Sequence, residues 1–382
     1  MNRSNSGANL PTLRSHNAAL VLDLLRAAGE RGISRLELAE RTGLTPQAVS
    51  KITARLRAEG LATEAGRLAS TGGKPRTVLR LVPDAGHAVG MHLDRDELTV
   101  VLVDLAGEVV ADRVEPLDFG APADEVIAAA AHAVAAVRGE DARVRDEGGR
   151  PGDLPVLGVG VAVPGPLDHQ GGVLHRVTGF PQWDGYPLRD VLAARTGLPV
   201  VVDKDTNAAA LGFALRAGGA DDFAYLHLGT GLGAGLVLGG RLHRGARTGA
   251  GEFGHQTVQL DGPVCGCGGR GCIEALCLAA VARGDVAEAA RVLGAGAANL
   301  VALLDIDRVM LGGRTVAADP DAYVRGVRAV IEERARLGGT DAPVPVTAAG
   351  GGDRPVAEGA AQLVLAPLFG RVGGTDAEGG GA

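Results

Sequence analysis

The sequence predicts an α/β protein with an N-terminal winged helix-turn-helix domain over residues 1–83, a two-lobed α/β body over residues 84–370 and a disordered, glycine-rich tail over residues 371–382. Two observations support this division. Short capped helices, followed by two strand patterns around a basic segment, occupy the first part. In the second part, consecutive strands followed by a helix occur twice, which predicts two related lobes with a cleft between them.

Charge divides the chain at the same place. The head (residues 1–83) carries 13 Lys and Arg against 6 Asp and Glu, whereas residues 84–382 carry 25 against 39. A basic head on an acidic body (residues 84–370) predicts that the head binds a polyanion.

Composition predicts a globular, cytoplasmic protein without a membrane partner. The chain is 46% hydrophobic but only 3% aromatic, so its cores must consist mainly of Ala, Val and Leu. Its first residues are polar, unlike a signal peptide, and no uninterrupted apolar run reaches the roughly 20 residues of a membrane span. In the cytoplasm, clustered cysteines favour a metal site over a disulfide.

The head contains the signals of three helices. Apolar residues over 17–28 recur at helical spacing. Ser34 and Glu37 have the capping-box spacing that starts a second helix. Thr45 followed by Pro46 predicts the N-cap and the first turn of a third. Two short capped helices behind a longer one predict a helix-turn-helix, whose last helix enters the major groove of DNA.

The exposed face of the third helix carries side chains that suit DNA. Gln47 can read adenine, and Ser50 can bond to a base or a phosphate. Lys51 and Arg55 can hold phosphates. The expected partner is a double-stranded operator with an inverted repeat. The predicted DNA-contacting residues are Ser34, Thr45, Gln47, Ser50, Lys51, Arg55, Lys74 and Arg76.

A wing follows the helices. Two strand patterns, 61–64 and 77–81, flank a basic tip over 67–76 that contains Lys74 and Arg76. Such a tip can lie along the DNA backbone or enter the minor groove. The alternative is a small helical interaction domain with a solvated, charged face.

The body shows two strand meanders. The first covers 87–93, 98–105 and 108–114 and precedes a helical pattern over 123–137. A buried strand, 156–163, follows. The second meander contains the apolar strands 223–228 and 232–238 around Gly229-Thr230-Gly231.

Three segments of the body carry a family resemblance. They are the glycine-rich run 228–235, Glu252-Phe253-Gly254-His255, and the cysteine-rich run 265–274. In these motifs the sequence resembles the ROK family (repressor, open reading frame, kinase). The resemblance implies an actin-like, ribonuclease H-like fold of two lobes and a homodimer or homotetramer.

The same resemblance points to a structural zinc ion, one per chain. Cys265 and Cys267 can turn onto one ion, Cys272 follows after a glycine-rich loop, and His255 supplies the fourth ligand. One imidazole and three thiolates form a closed tetrahedral set, which is structural because it leaves no position for water. Free buried cysteines are the alternative. Cys277 is expected in the core.

The resemblance leaves a choice between a kinase and a sensor. Asp205 matches the catalytic carboxylate of the family. Where its kinases carry Asp-x-Gly-Gly-Thr at the first phosphate turn, this chain has His92, Asp94, Arg95 and Asp96, which would repel or crowd a triphosphate. The body is therefore predicted to be a kinase-derived sensor and not an enzyme, with Asp205 as a vestigial base. An ATP-dependent sugar kinase is the alternative.

The ligand pocket resembles a sugar site only in part. The matching residues are Lys204, Asp205, Glu252, His255 and Glu274, and carboxylates suit sugars because each accepts hydrogen bonds from hydroxyl groups. Lys204 replaces an Asn of the family, which allows an acidic or phosphorylated sugar, or a sensor that no longer binds sugar. The predicted function is a DNA-binding transcriptional regulator, a repressor, with a sugar or sugar-derivative effector.

Overall fold

The structure is a computed structural model that describes residues 16–68, 76–140, 155–216, 222–339, 344–350 and 354–371. The helices are α1 (His16–Ala28), α2 (Arg35–Thr42), α3 (Pro46–Ala58), α4 (Ala123–Glu140), α5 (Leu188–Thr196), α6 (Asp205–Leu215), α7 (Ile273–Ala282), α8 (Val286–Leu304), α9 (Arg314–Ala318), α10 (Pro320–Leu337) and α11 (Pro355–Leu365). The strands are β1 (Ile33–Ser34), β2 (Ala62–Leu68), β3 (Arg76–Leu81), β4 (His87–Leu93), β5 (Glu97–Asp104), β6 (Val109–Pro116), β7 (Val156–Val163), β8 (Leu167–Asp168), β9 (Val173–Leu174), β10 (Val200–Lys204), β11 (Phe223–Leu228), β12 (Leu232–Leu238), β13 (Arg241–Leu242), β14 (Arg308–Gly312) and β15 (Val346–Ala348).

The head folds as the sequence predicts. At the start of α2 the Glu37 backbone N–H donates to the Ser34 hydroxyl at 3.3 Å, and the Ser34 N–H donates to the Glu37 carboxylate at 2.9 Å. These bonds complete the capping box. Thr45 caps α3 by accepting from the Ala48 N–H at 3.3 Å. The three helices cover a sheet of order β1-β3-β2, and the winged helix-turn-helix is confirmed.

The two wing strands are present, and β2 is longer than predicted. β2 and β3 pair antiparallel from Ala62 opposite Leu81 to Leu68 opposite Arg76, with an irregularity between Glu64 and Gly66. The tip over 69–75, which includes Lys74, lies outside the described residues.

The two lobes of the body share one topology. The first lobe has a sheet of order β6-β5-β4-β7-β10, and the second has β13-β12-β11-β14-β15. In each, three antiparallel strands are followed by two parallel ones. This repetition confirms the two related lobes, and it places the start of α6 and the β11–β12 turn at the cleft between them.

The last helix returns to the first lobe. α11 packs on β4, β7 and α6 although its sequence follows the second lobe. Gly90 of β4 and Gly160 of β7 make this close approach possible: a Cβ at Gly90 would overlap the Ala357 carbonyl oxygen, and one at Gly160 would overlap the carbonyl oxygen of Ala360. Backbone therefore packs directly on backbone at this interface.

The head shares a hydrophobic core with the body. Side chains of α1, among them Leu22 and Leu25, cluster with residues of α11 and of the 3-10 helix Ala366–Phe369 that follows it. The Arg26 guanidinium lies 4.7 Å from the centre of the Phe369 ring. The head is therefore attached to the C-terminal segment by packing as well as by the chain.

One described helix, α8, is long and apolar enough to cross a membrane by length and composition alone. It lies in the second lobe, where half of its span is buried against α7 and α10. The apolar residues of α8 thus form part of the hydrophobic core of this lobe.

Candidate functional site

The α3 side chains that the sequence predicts to contact DNA lie on an exposed face of this helix. Val49 and Leu56 of α3 are buried in the head, whereas Gln47, Ser50, Lys51, Arg55 and the cap residue Thr45 are exposed on the opposite side. Ser34 differs from these α3 residues because it is buried and its hydroxyl caps α2. Arg76 begins β3, next to the wing tip.

All five predicted ligand residues line one pocket between the lobes. The pocket has a volume of about 100 Å³. Its wall includes Lys204, Asp205, Glu252, His255 and Glu274. α6 begins at Asp205, whose carboxylate accepts a hydrogen bond from the Thr206 N–H at 2.6 Å.

Lys204 is paired inside the pocket. Its side chain is buried, and its ammonium group donates to the Glu252 carboxylate at 3.1 Å and to the Ala250 carbonyl oxygen. The Glu252 carboxylate offsets the positive charge and the Ala250 carbonyl accepts a second hydrogen bond, so the Lys204 side chain is engaged within the protein.

A buried ion pair joins the lobes behind the pocket, and the sequence analysis missed it. The Arg244 guanidinium of the second lobe donates at 2.7 Å to Asp203, the residue before Lys204 in β10. The Asn207 amide donates to Asp203 at 2.8 Å. Burial acts to raise the pKa of Asp203, but Arg244, His169 and Asn207 together lower it. The only signal in the sequence was an Asp at the end of a buried strand.

A second ion pair also joins the two lobes. Arg314, at the start of α9, donates two bonds to Asp96 at 2.6 and 2.8 Å and one to Asp94 at 2.8 Å. Both aspartates belong to the β4–β5 turn of the first lobe. The bond with Arg314 lowers the pKa of Asp96. We call this contact the latch; it corrects the expectation of two unopposed carboxylates, because Arg314 offsets their charge.

The latch adjoins two cavities. Asp94 lines both the pocket and a larger cavity of about 550 Å³, which is walled by Tyr225, His227 and α9. Burial lowers the pKa of His227, so the imidazole favours its neutral form. Asp94 and His227 therefore line both cavities, and Arg314 lines the larger one.

The four predicted metal ligands come together. The candidate donor atoms of His255, Cys265, Cys267 and Cys272 all lie within 4.8 Å of one another. The Cys267 and Cys272 sulfurs are 3.7 Å apart, and the Cys265 sulfur is 3.8 Å from His255 Nδ1. Tetrahedral zinc with Zn–S bonds of about 2.3 Å sets its sulfurs about 3.8 Å apart. The donor set and its spacing thus fit a metal ion.

The cluster is connected to the pocket. His255 belongs to both, and one oxygen of Glu274 lies 4.0 Å from the Cys265 sulfur. The other Glu274 oxygen accepts from the Leu232 N–H at 2.9 Å, at the end of the β11–β12 turn. Cys277 is buried in α7, apart from the cluster, as expected.

Comparisons with known proteins agree with both parts of the chain. Residues 89–283 and 278–366 match the model of the ROK family, and residues 20–63 match that of a winged helix-turn-helix DNA-binding domain. The xylose repressor of Caldicellulosiruptor bescii is 30% identical over 268 residues, which are 70% of this chain and 64% of the relative. The DNA-binding transcriptional dual regulator NagC of Escherichia coli is 30% identical over 272 residues, with the same coverage.

The fold is also found among solved structures. A ROK family transcriptional regulator, a homologue of the Escherichia coli MLC protein, superposes with a TM-score of 0.74 at 24% identity. The match covers 92% of this chain and 96% of the regulator. At this identity the match supports the fold, head and body together.

Proposed function

This chain belongs to the ROK family, and from that premise we propose that it is a cytoplasmic DNA-binding transcriptional regulator, a repressor, whose body senses a sugar or sugar derivative. The observation that carries the proposal is the packing of a winged helix-turn-helix, with an exposed Gln/Ser/Lys/Arg face, on a sugar-kinase-like body. Relatives of the chain are named as a repressor and as a transcriptional regulator.

The latch favours sensing over phosphate transfer. Arg314, Asp94 and Asp96 fill the turn at which a triphosphate would need open backbone N–H groups. Asp205 keeps the position of a base, but its role in a sensor is to accept hydrogen bonds from hydroxyl groups. Glu252 and Glu274 offer further acceptors in the same pocket.

The experiment that tests regulation is selection of bound fragments from sheared genomic DNA of the source organism, at about 0.15 M salt to suppress nonspecific phosphate binding. We expect enrichment of an inverted repeat, because a dimer presents two heads. Folded, metal-loaded protein that enriches no sequence would show that the head is an interaction module, and the kinase would become the better proposal.

The wing prediction concerns salt dependence. Lys74→Ala with Arg76→Ala should weaken binding to all DNA sequences and reduce the slope of log affinity against log salt by about two, since each lost phosphate contact removes about one. Titrations at several salt concentrations measure this slope. Arg241→Ala with Arg247→Ala, both exposed on the second lobe, is the matched control. An unchanged slope in the wing variant would contradict the assignment.

Gln47 should behave differently from the wing. Gln47→Ala is expected to reduce discrimination at one base position of the operator by about 1–3 kcal/mol of binding free energy. It should leave the slope of log affinity against log salt unchanged, because a contact to a base releases no counterions from the phosphates. Binding to operator variants with each base in turn measures the preference. Equal loss across every operator variant would exclude base reading by Gln47.

We also propose that the metal cluster holds one structural zinc per chain, by His255, Cys265, Cys267 and Cys272. The closed ligand set supports structure and not catalysis. Zinc at His255 Nδ1 would fix the other ring nitrogen as a hydrogen-bond donor for the pocket. It would also hold the loop after Glu252 in place.

Effector control is proposed to be a population shift between lobe arrangements. α6 begins at Asp205 in the pocket and ends at Leu215, whose carbonyl oxygen accepts from Arg26 of the head at 3.5 Å. This helix is about 16 Å long, at 1.5 Å per residue. Lobe movement at Asp205 would therefore move the head. In a dimer, whose half-sites lie about 34 Å apart, small rotations would break the match to DNA.

A further inference from the structure

Arg95 is held over the effector pocket by its neighbours. It lies between Asp94 and Asp96, and the latch binds both of these residues to Arg314. Its guanidinium lies 5.6 Å from the centre of the Phe180 ring. Arg95 and Asp94 both line the pocket. The latch contacts of the two neighbouring aspartates and the aromatic ring therefore restrict the position of the Arg95 side chain.

The charge of Arg95 is not offset within the described part of the chain. Of the cations around the pocket, Lys204 is paired with Glu252, and Arg314 is paired with Asp94 and Asp96. No described carboxylate lies within 4.0 Å of the Arg95 guanidinium, and no described acceptor receives a hydrogen bond from it. Five N–H donors are thus available to a ligand.

The β11–β12 turn of the other lobe lies next to Arg95. The position that a Cβ would take on Gly231 lies 3.7 Å from one guanidinium nitrogen of Arg95 and 3.2 Å from a carboxylate oxygen of Glu274. In this turn the Gly229 N–H donates to the Gly231 carbonyl oxygen, and the Leu232 N–H donates to Glu274. The N–H groups of Thr230 and Gly231 have no acceptor among the residues that the structure describes. The Arg95 guanidinium and a turn with two amides that have no described acceptor therefore line the same pocket.

We propose that the effector is an anionic sugar derivative whose carboxylate or phosphate pairs with Arg95 and with the N–H groups of Thr230 and Gly231. This inference rests on the proposed sensing function. Arg binds planar or tetrahedral oxyanions by two parallel hydrogen bonds, and free backbone amides in a tight turn add donors of the same kind. The carboxylates of Asp205, Glu252 and Glu274 would receive the hydroxyl groups of the ring, so the two ends of the ligand are distinguished.

The proposal also changes the role of Lys204. The sequence suggested Lys204 as the partner of an acidic ligand, whereas its ammonium group is bound to Glu252 and Ala250. Arg95, which replaces a glycine of the family motif, takes that role. The specificity residue thus comes from the first lobe, and the amides that assist it come from the second. An anion at this place would bind both lobes at once.

Calorimetric titration of the full chain, loaded with metal, tests the inference. Each set of probes contains one sugar ring in a neutral, a carboxylated and a phosphorylated form. The first set is glucose, glucuronate and glucose 6-phosphate, and the corresponding galactose and mannose sets follow. N-acetylglucosamine is compared with its 6-phosphate. In the set whose ring fits, we expect an anionic member to bind at least 10-fold more tightly than the neutral one. Comparison of the affinities for the carboxylated and the phosphorylated member of that set shows which anion is preferred.

Arg95→Gln should abolish this preference and leave the affinity for the neutral ring within about twofold. Arg95→Lys should keep part of it, and Arg241→Gln, the same substitution at an exposed site outside the pocket, should keep all of it. Neutral sugars that bind as tightly as their anionic counterparts would overturn the inference and leave the proposed function intact. If no probe binds or releases DNA, sugar sensing itself is wrong, and the inference fails with it.

Discussion

Gly160→Ala is expected to destabilise the protein by about 3 kcal/mol or more and to weaken DNA binding as well. The added Cβ would overlap the Ala360 carbonyl oxygen, a backbone atom of α11 that cannot rotate away. Relief therefore requires α11 to move off β7, and overpacking of this kind typically costs 1–3 kcal/mol even when a side chain can yield. α11 also supports the head through the segment that ends at Phe369. Displacement of the helix should consequently disturb the position of the head.

Urea unfolding and operator binding, measured on the same preparation, check this prediction. Gly139→Ala is the matched control: Gly139 lies exposed on α4, and nothing lies within 4 Å of the position of its Cβ. There the same substitution should stabilise the protein by about 0.5–1 kcal/mol, because Gly is a poor helix former. If the Gly160→Ala variant has the same urea midpoint of unfolding as the wild-type protein, β7 and α11 are not packed as closely as described.

Cys267→Ser is expected to reduce bound zinc from one per chain to near zero and to abolish the effector response. Cys267 is exposed, so serine at this position causes no loss of packing, and any effect reports on the metal. The Gly269 N–H hydrogen bond lowers the pKa of the Cys267 thiol, whereas burial raises that of Cys272 to about 12. A bound metal stabilises the thiolates of the whole cluster. Without it, the loop that carries Glu252 and His255 loses its anchor beside the pocket.

Metal analysis, thermal unfolding and effector titration of the same samples measure the result. Cys277→Ser is the control, since Cys277 is a buried thiol of α7 that donates to the Ala289 carbonyl oxygen at 3.5 Å and takes no part in the cluster. This variant should retain one zinc per chain even if packing makes it less stable. Wild-type protein without stoichiometric zinc, or a Cys267→Ser variant with unaltered stability and response, would contradict the proposed site.

Local signals predicted the head and the strands of the body well. The caps at Ser34 and Thr45 depend on residues three positions apart, so the sequence contains all the information that they need. The strands Phe223–Leu228 and Leu232–Leu238 agree with the predicted bounds because continuous apolar runs end at a glycine turn. By contrast, β1 has only two residues, Ile33 and Ser34, and exists through its pairing with β3.

The sequence predicted which residues form the site better than it predicted the contacts between them. His255, Cys265, Cys267 and Cys272 could be assigned together because three of them are close in sequence and their motif is specific. The latch could not, since Arg314 lies more than 200 residues from Asp94 and Asp96. The same holds for Arg244 and Asp203, which are 41 residues apart and belong to different lobes.

The sequence by itself determined the kinds of element, their order and the identity of the residues that bear chemistry, because turns, caps and apolar periodicity act over a few residues. Only the tertiary structure decided which charges are paired and which side chain remains available. Lys204 and Arg314 are both cations near the pocket, but folding brings each to a carboxylate and leaves Arg95 without one among the residues that the structure describes. Pairing depends on distances between lobes, and those distances are set by the packing of whole sheets and of α11, which no local pattern contains.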